Sequence, residues 1–382
     1  MHFTRLLELG QIKGSAFLFG PRMTGKTFLV RGLQNVAYID LLDPEQELRF
    51  KQSPSLFWEE IHAFPKHHLV VVDEIQKVPT LLDYVQKGIE ERGLRFILTG
   101  SSARKLRRGG ANLLGGRAHD LRLHPLTTRE IGPQFDLSQA LQYGTLPKFA
   151  ELAMNKNIEE LKGLLRSYYT TYIKEEIQAE ALTRNVGAFQ RFLNVAAQAN
   201  GQVIEFQNIS RECSVPASTV KEYYSILEDT LVGEFLWQWN RSERKKARPK
   251  FFFFDTGVVR AIQNRLNDPP TTQELGFLFE TWFVRELTRL RDYLKKSHEF
   301  CFWREGIHEV DILVMSARGP VLAIECKSGN ESLSHSTLKS FQTKFPKVPL
   351  IISSLKDKAR RRLASGIDLL PWRDALEVYN RL

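Results

Sequence analysis

Phe17-Leu18-Phe19-Gly20-Pro21-Arg22-Met23-Thr24-Gly25-Lys26-Thr27 is the stretch on which the fold turns. A short apolar run enters Gly-x-x-x-x-Gly-Lys-Thr, and a helical pattern follows from Phe28. Strand, glycine-bounded loop and helix in that order make a phosphate-binding loop. Gly20 and Gly25 let the backbone curl so that successive N–H groups point at anionic oxygens. The residues expected to hold the nucleotide are therefore Gly20, Pro21, Arg22, Met23, Thr24, Gly25, Lys26 and Thr27. Lys26 can reach the β- and γ-phosphates, and the Thr27 hydroxyl can ligate Mg2+. The helix that starts near Lys26 adds the positive end of its dipole.

Further along, Val36-Ala37-Tyr38-Ile39-Asp40 reads as a second strand and His68-Leu69-Val70-Val71-Val72-Asp73-Glu74 as a third. Its continuous β-branched run suits a strand of a parallel sheet buried on both faces. The run closes on two adjacent carboxylates, the Walker B arrangement. Alternation along the strand points them in different directions. Asp73 is placed to hold the Mg2+ shell, mostly through water; Glu74 is placed to orient or deprotonate the attacking water. Thr80 to Arg92 reads as a helix, and Arg95 to Ser102 as a strand ending in hydroxyls. If that strand lies between the first and the Walker B strand, Thr99 or Ser101 can hydrogen-bond the attacking water. Ser101 or Ser102 can equally serve as a helix N-cap.

Gly20–Thr27, Val71-Val72-Asp73-Glu74-Ile75-Gln76 and Leu98-Thr99-Gly100-Ser101-Ser102 together resemble an AAA-type ATPase. More narrowly, they resemble a prokaryotic family of predicted ATPases whose C-terminal half is a domain of unknown function with a nuclease-like core. Leu114-Gly115-Gly116-Arg117, His124-Pro125-Leu126 and Gly144-Thr145-Leu146-Pro147 match it as well. The resemblance implies ATP as the nucleotide and gives Arg117 the role of arginine finger or nucleotide sensor. A finger offered in trans needs a neighbouring subunit at the site. The implied assembly is a homo-oligomer, expected as a hexameric ring.

Residues Leu161 to Asn200 read as helices without a catalytic constellation. Phe206–Cys213, the turn Ser214-Val215-Pro216 and the longer helix Ala217–Glu228 form a helix-turn-helix pattern, and Leu231–Trp239 alternates as a hairpin strand would. The segment resembles a winged helix, in which the second helix can lie in a DNA groove. Arg211, Ser218, Thr219 and Lys221 would touch DNA; the alternative is a packing or oligomerisation module. The basic run Arg241–Lys250 is the better electrostatic candidate.

Phe251 to Asp255 reads as a strand, Leu275 to Arg291 as a helix, and Glu309–Val314 with Pro320–Lys327 as a hairpin. Asp311, Glu325-x-Lys327 and an acid on the preceding helix make the PD-(D/E)XK constellation. Residues 325 and 327 share one face of a strand. Asp311 and Glu325, on paired strands, can share Mg2+, Glu280 can complete the metal shell, and Lys327 can position the water that attacks a phosphodiester. Nuclease-like folds also serve as inactive DNA-binding platforms, and both readings stay open. Lys356–Arg362 would rim this cleft.

The chain has 382 residues, 42% hydrophobic and 26% charged, with a net charge of +10. That length has room for two or three domains. The basic balance favours an acidic polymer, nucleic acid first, and the charge clusters at Arg104–Arg108, Arg241–Lys250 and Lys356–Arg362. No run approaches the ~20 apolar residues needed to cross a bilayer, and the N-terminus carries no signal-peptide pattern; a cytoplasmic location is expected. Cys213, Cys301 and Cys326 are scattered and read as free thiols.

The expected fold class is α/β. Residues 1–150 form an AAA-type P-loop ATPase domain with a parallel sheet. Residues 151–245 are helical and include the winged helix. Residues 246–382 form a restriction-endonuclease-like α/β domain. The expected function is a Mg2+-dependent ATPase that remodels or translocates on DNA, duplex or branched, and that has the option of cutting it. The rival is an ATP-dependent switch or scaffold whose nuclease-like domain only mediates assembly.

Overall fold

In a computed structural model of the chain, the described residues are 3–101, 114–173, 186–240, 248–329 and 333–382. Ser102, the Arg104–Arg108 cluster and residues 241–247 of the second basic run lie outside them.

Five strands form the first sheet: β1 (Ser15–Phe19), β2 (Val36–Asp40), β3 (Leu69–Asp73), β4 (Arg95–Gly100) and β5 (Ala118–Arg122). All pairings are parallel, in the order β2-β3-β4-β1-β5. Val70, Val71 and Val72 explain why β3 sits inside this sheet. Val70 and Val72 join Phe17, Phe19, Phe50 and Phe57 in one core, whereas Val71 joins Leu18, Val30 and Ile97 in the core on the other face. Successive side chains point to opposite faces, so only a strand apolar at every position satisfies both. The register sets Phe19 beside Gly100 and Arg122, and Asp40 beside Asp73. The carboxyl ends of the strands therefore gather along one edge. Helix α1 (Lys26–Arg31) starts there, with Gly25 at φ 94° as its N-cap. Only glycine takes that backbone conformation at little cost.

The second sheet is mixed and has eight strands: β6 (Gly233–Gln238), β7 (Lys250–Phe253), β8 (Glu299–Glu305), β9 (His308–Ser316), β10 (Gly319–Lys327), β11 (Leu350–Ser354), β12 (Arg361–Arg362) and β13 (Asp368–Pro371). Their order is β12-β13-β11-β10-β9-β8-β6-β7. β6 pairs antiparallel with β7 and parallel with β8, so strands from both sides of the expected 245/246 boundary share one sheet. Helix Thr272–Tyr293 packs Leu278, Phe279, Trp282 and Phe283 onto Phe302, Ile312, Val314 and Ile324. The run Phe251–Phe254 is buried throughout because β7 lies between two cores. Phe252 enters this one; Phe251, Phe253 and Phe254 enter an aromatic core with Phe149, Phe189, Phe192 and Tyr224.

Helix Phe206–Cys213 turns through Ser214, at φ 55°, into helix Ala217–Asp229, and the β6–β7 pair follows. An isolated bridge between Val203 and Lys250 adds to that pair. Arg211, Ser218 and Lys221 are exposed and Thr219 is half-buried; the Lys221 ammonium lies 5.4 Å from the centre of the Phe206 ring. Among the described residues no helix is long and apolar enough to cross a membrane. Cys213 and Cys301 are buried free thiols, and Cys326 is half-buried and also free.

Candidate functional site

The phosphate-binding loop is held closed by its own polar atoms. Lys26 Nζ donates to the carbonyls of Gly20 (2.6 Å) and Pro21 (3.2 Å), and Thr24 Oγ1 donates to Pro21 at 2.8 Å. Gly20 is a close-approach glycine: a Cβ there would meet the Leu123 carbonyl oxygen at 2.3 Å. Thr27 stands in the first turn of α1, half-buried. At the tip, the Arg22 amide donates to the Tyr172 hydroxyl (3.3 Å) and the Arg22 carbonyl accepts from the Tyr168 hydroxyl (3.1 Å). Met23, also at the tip, is exposed with φ 63°.

The Walker B pair splits as alternation requires, and more sharply. Asp73 ends β3, fully buried, while Glu74 lies beyond the strand at φ 60°. The Asp73 carboxylate accepts the Tyr38 hydroxyl on Oδ2 and the Thr99 hydroxyl on Oδ1. Thr99 Oγ1 also accepts the Glu74 amide at 2.9 Å. Thr99 thus ties the Asp73 carboxylate to the backbone of Glu74. Gln76 Nε2 donates to Glu74 Oε2 and stands 3.4 Å from Ser101 Oγ, while Gln76 Oε1 is buried without a hydrogen-bond partner among the described residues. Mg2+ favours hard oxygen donors. A buried carboxylate oriented by two hydroxyls at the end of β3, with a threonine in the first turn of α1, is a donor set that fits it.

Arg117 is elsewhere. It precedes β5, whose first residue pairs with Ser15 at the opposite end of β1 from Gly20. Its guanidinium pairs with Glu90 at 2.9 Å on the exposed surface. The length of β1, about 16 Å by strand rise, separates it from the loop of its own chain.

Behind the loop lies a network absent from the sequence reading. Buried Arg5 donates to the Thr24 carbonyl (2.6 Å), Glu130 (2.8 Å), the His124 carbonyl (2.6 Å) and the Tyr293 hydroxyl (3.0 Å). His124 Nε2 lies 2.7 Å from Asp292 Oδ2. Burial pushes the His124 imidazole below its usual pKa, against the pull of Asp292. Glu286, also on helix Thr272–Tyr293, accepts both the amide and the hydroxyl of Thr128 at 2.7 Å.

The second constellation also assembles. β9 and β10 pair antiparallel with Ile312 beside Ile324, which brings Asp311 next to Glu325. The Cys326 amide donates to Asp311 Oδ2 (2.9 Å), the Asp311 amide reaches Glu325 at 3.4 Å, and Lys327 pairs with Glu325 at 2.8 Å. Glu280 faces the same centre from its helix. The surprise is Lys250. The sequence assigns it to a surface run for DNA, yet it is buried, with Nζ 2.7 Å from Glu280, 2.7 Å from Glu309 and 3.7 Å from Asp311. Burial and the Asp311 charge push the carboxyls of Glu280 and Glu325 each up to about 8. Burial opposes the Lys250 charge, but Glu280, Asp311 and Glu309 outweigh it and raise its pKa. Among the described residues no three His, Cys, Asp or Glu side chains converge closely enough to hold a metal ion. The metal shell of Glu280, Asp311 and Glu325 expected from the sequence does not fit, because the Lys250 ammonium stands against Glu280 and Asp311 and Lys327 pairs with Glu325.

The third basic cluster leaves β11 beside Lys327, whose carbonyl accepts the Leu355 amide. Its arginines then turn to local acids: Arg360 to Asp374, Arg361 to Asp357 and Arg362 to Asp368. β12 is three strands from β10, about 14 Å by strand spacing.

Profile comparisons divide the chain into three. An AAA domain matches residues 13–132, a domain of unknown function (DUF8612) residues 134–269, and another (DUF4143) residues 275–374. A comparison with curated proteins found no match. Among solved structures, the Aeropyrum pernix ORC1 protein in complex with DNA aligns at 12% identity and TM-score 0.32, covering 69% of this chain and 88% of that one. AMPPCP-bound DnaA from Aquifex aeolicus aligns at 15% identity and TM-score 0.25, covering 58% and 84%. The Bacillus subtilis DNA clamp loader delta protein aligns at 13% and 0.22, covering 75% and 96%. Overlaps this loose carry no argument about what the chain does.

Proposed function

We propose that the protein is a Mg2+-dependent ATPase whose hydrolysis is coupled to DNA. The observation that carries this reading is that the Gly20–Thr27 loop and the Asp73-Glu74 end of β3 lie at the carboxyl edge of one parallel sheet, with Thr99 tying the Asp73 carboxylate to the Glu74 backbone. A matched AAA domain over the same residues supports it.

In this reading Lys26 leaves the Gly20 and Pro21 carbonyls and takes the β- and γ-phosphates. Thr27 and Asp73 hold Mg2+, which neutralises phosphate charge when bound. Glu74 orients the attacking water and receives its proton, with Gln76 steadying the carboxylate. Arg117, too far from its own loop, acts on a neighbouring subunit's site, so the active form is a homo-oligomeric ring, six subunits being the expected number. Arg211, Ser218 and Lys221 on the helix-turn-helix, and the basic run after β6, grip DNA phosphates; branched DNA belongs to the test panel.

The test is ATP turnover measured with and without duplex, single-stranded and branched DNA, with Lys26→Ala as the control. DNA-stimulated turnover is expected, and it weakens steeply with salt as phosphate-driven binding does. Turnover indifferent to every DNA would leave a nucleotide-dependent switch or scaffold as the better reading.

A further inference from the structure

Carboxylates of β9 and helix Thr272–Tyr293 face an ammonium. Lys250 Nζ reaches Glu280 and Glu309 at 2.7 Å each and Asp311 at 3.7 Å, with its side chain 4% exposed. Charge-assisted N–H···O contacts run at roughly 2.7–2.9 Å, whereas Mg2+ draws its oxygens to about 2.1 Å. The spacing is that of an ammonium cage. The oxygens turned away from Lys250 are engaged too: Asp311 Oδ2 with the Cys326 amide, and Glu325 with Lys327 and the Asp311 amide.

We propose that Lys250 is the built-in cation of this centre, standing where a nuclease-like fold would place a divalent metal. An ammonium balances carboxylate charge but offers no open coordination position. It cannot bring a bound water toward neutral pKa as a metal does. Lys327, paired to Glu325, is likewise held by the cluster. The centre therefore joins β7, helix Thr272–Tyr293 and β9 by charge and does not hydrolyse phosphodiesters. This inference is independent of the ATPase reading, since it concerns residues outside the phosphate loop.

A carboxylate cage that loses its lysine becomes a cage for another cation. The experiment is a Mn2+ titration of the full-length, nucleotide-free protein, with free Mn2+ read from its electron paramagnetic resonance signal. The unmutated protein and Lys250→Arg are expected to leave the ion free at concentrations where Lys250→Met takes up one equivalent. Adding Glu325→Gln to Lys250→Met removes that uptake. Mn2+ raises the melting temperature of Lys250→Met alone. One equivalent taken up by the unmutated protein and abolished by Glu325→Gln would overturn the proposal, as would a folded Lys250→Met that binds no Mn2+. Should Lys250→Met fail to fold, the unmutated protein, Lys250→Arg and Glu325→Gln decide the matter: uptake by the first refutes it, and no uptake by any supports it.

Discussion

Arg5 Nη1 lies 2.6 Å from the carbonyl oxygen of Thr24, so the phosphate-binding loop is fastened from behind by a residue near the chain's start. The same guanidinium pairs with Glu130, whose side chain is fully buried. Removing one partner of a buried pair leaves the other charge uncompensated, at about 3–5 kcal/mol. Arg5→Ala is expected to lose stability at the low end of that range, because Glu130 keeps the amides of Leu6 and Thr127. Nucleotide affinity should fall with it. Denaturant unfolding with and without ATP measures both, and unchanged stability would refute the fastening role.

Lys26→Ala removes the one ammonium in the loop. Charge-assisted hydrogen bonds contribute roughly 1.5–3 kcal/mol each, so nucleotide affinity should drop by about ten- to a hundredfold. The fold should persist. A fluorescent nucleotide titration reads the first, and circular dichroism the second.

Thr99→Val keeps the shape and deletes the hydroxyl that joins Asp73 to Glu74. A buried carboxylate oxygen and a buried amide then lack a partner, costing about 1–3 kcal/mol of stability. Turnover should fall about a hundredfold while nucleotide still binds. Full turnover in this variant would show that the link plays no part in hydrolysis.

Arg117→Ala should abolish turnover and spare nucleotide binding. Glu74→Gln should do the same through the other half of the site. Mixing the two inactive proteins creates interfaces that pair an intact loop with an intact Arg117, so activity should return. Lost nucleotide binding in Arg117→Ala alone would sink the assignment in trans.

The carboxyl pair predicts a slope with pH. Glu280 and Glu325 titrate near 8 in the fold, held up by burial and by Asp311, against about 4.3 when unfolded. The folded state therefore binds more protons between those values. Their contribution to stability is complete below about pH 4 and is lost as pH rises through 8. Glu325→Gln should flatten this limb and be the more stable protein at pH 8, by an amount on the order of 1 kcal/mol. Melting curves at pH 5 to 9 check it, and a parallel decline in both proteins would contradict it.

The first sheet and the loop between β1 and α1 were legible because their signals are local. The loop spacing, the Val70–Asp73 run and the hydroxyl-ended strand mark their elements in a few adjacent residues. Partners set by folding were not legible. Tyr38 meets Asp73, and Arg5 meets Thr24 and Tyr293, only through sheet order and helix packing. Lys250 was misread because it follows a basic run. The signal against that reading was the phenylalanine run behind it: a lysine opening a wholly buried strand must find carboxylates. The Glu-x-Lys hairpin was correctly placed, but residue types alone could not show that another side chain fills its centre.

Helix Thr272–Tyr293 carries Glu280 at the lysine cage, Glu286 at Thr128, and Asp292 with Tyr293 behind the phosphate loop. It is thus a ruler with a fixed phase. From Glu280 to Tyr293 the rise is about 20 Å, and each residue turns the axis by about 100°. One residue inserted between Glu280 and Glu286 would swing one anchor set onto the wrong side of the helix, whatever its chemistry. A substitution there disturbs one contact; a change in length disturbs every anchor beyond it.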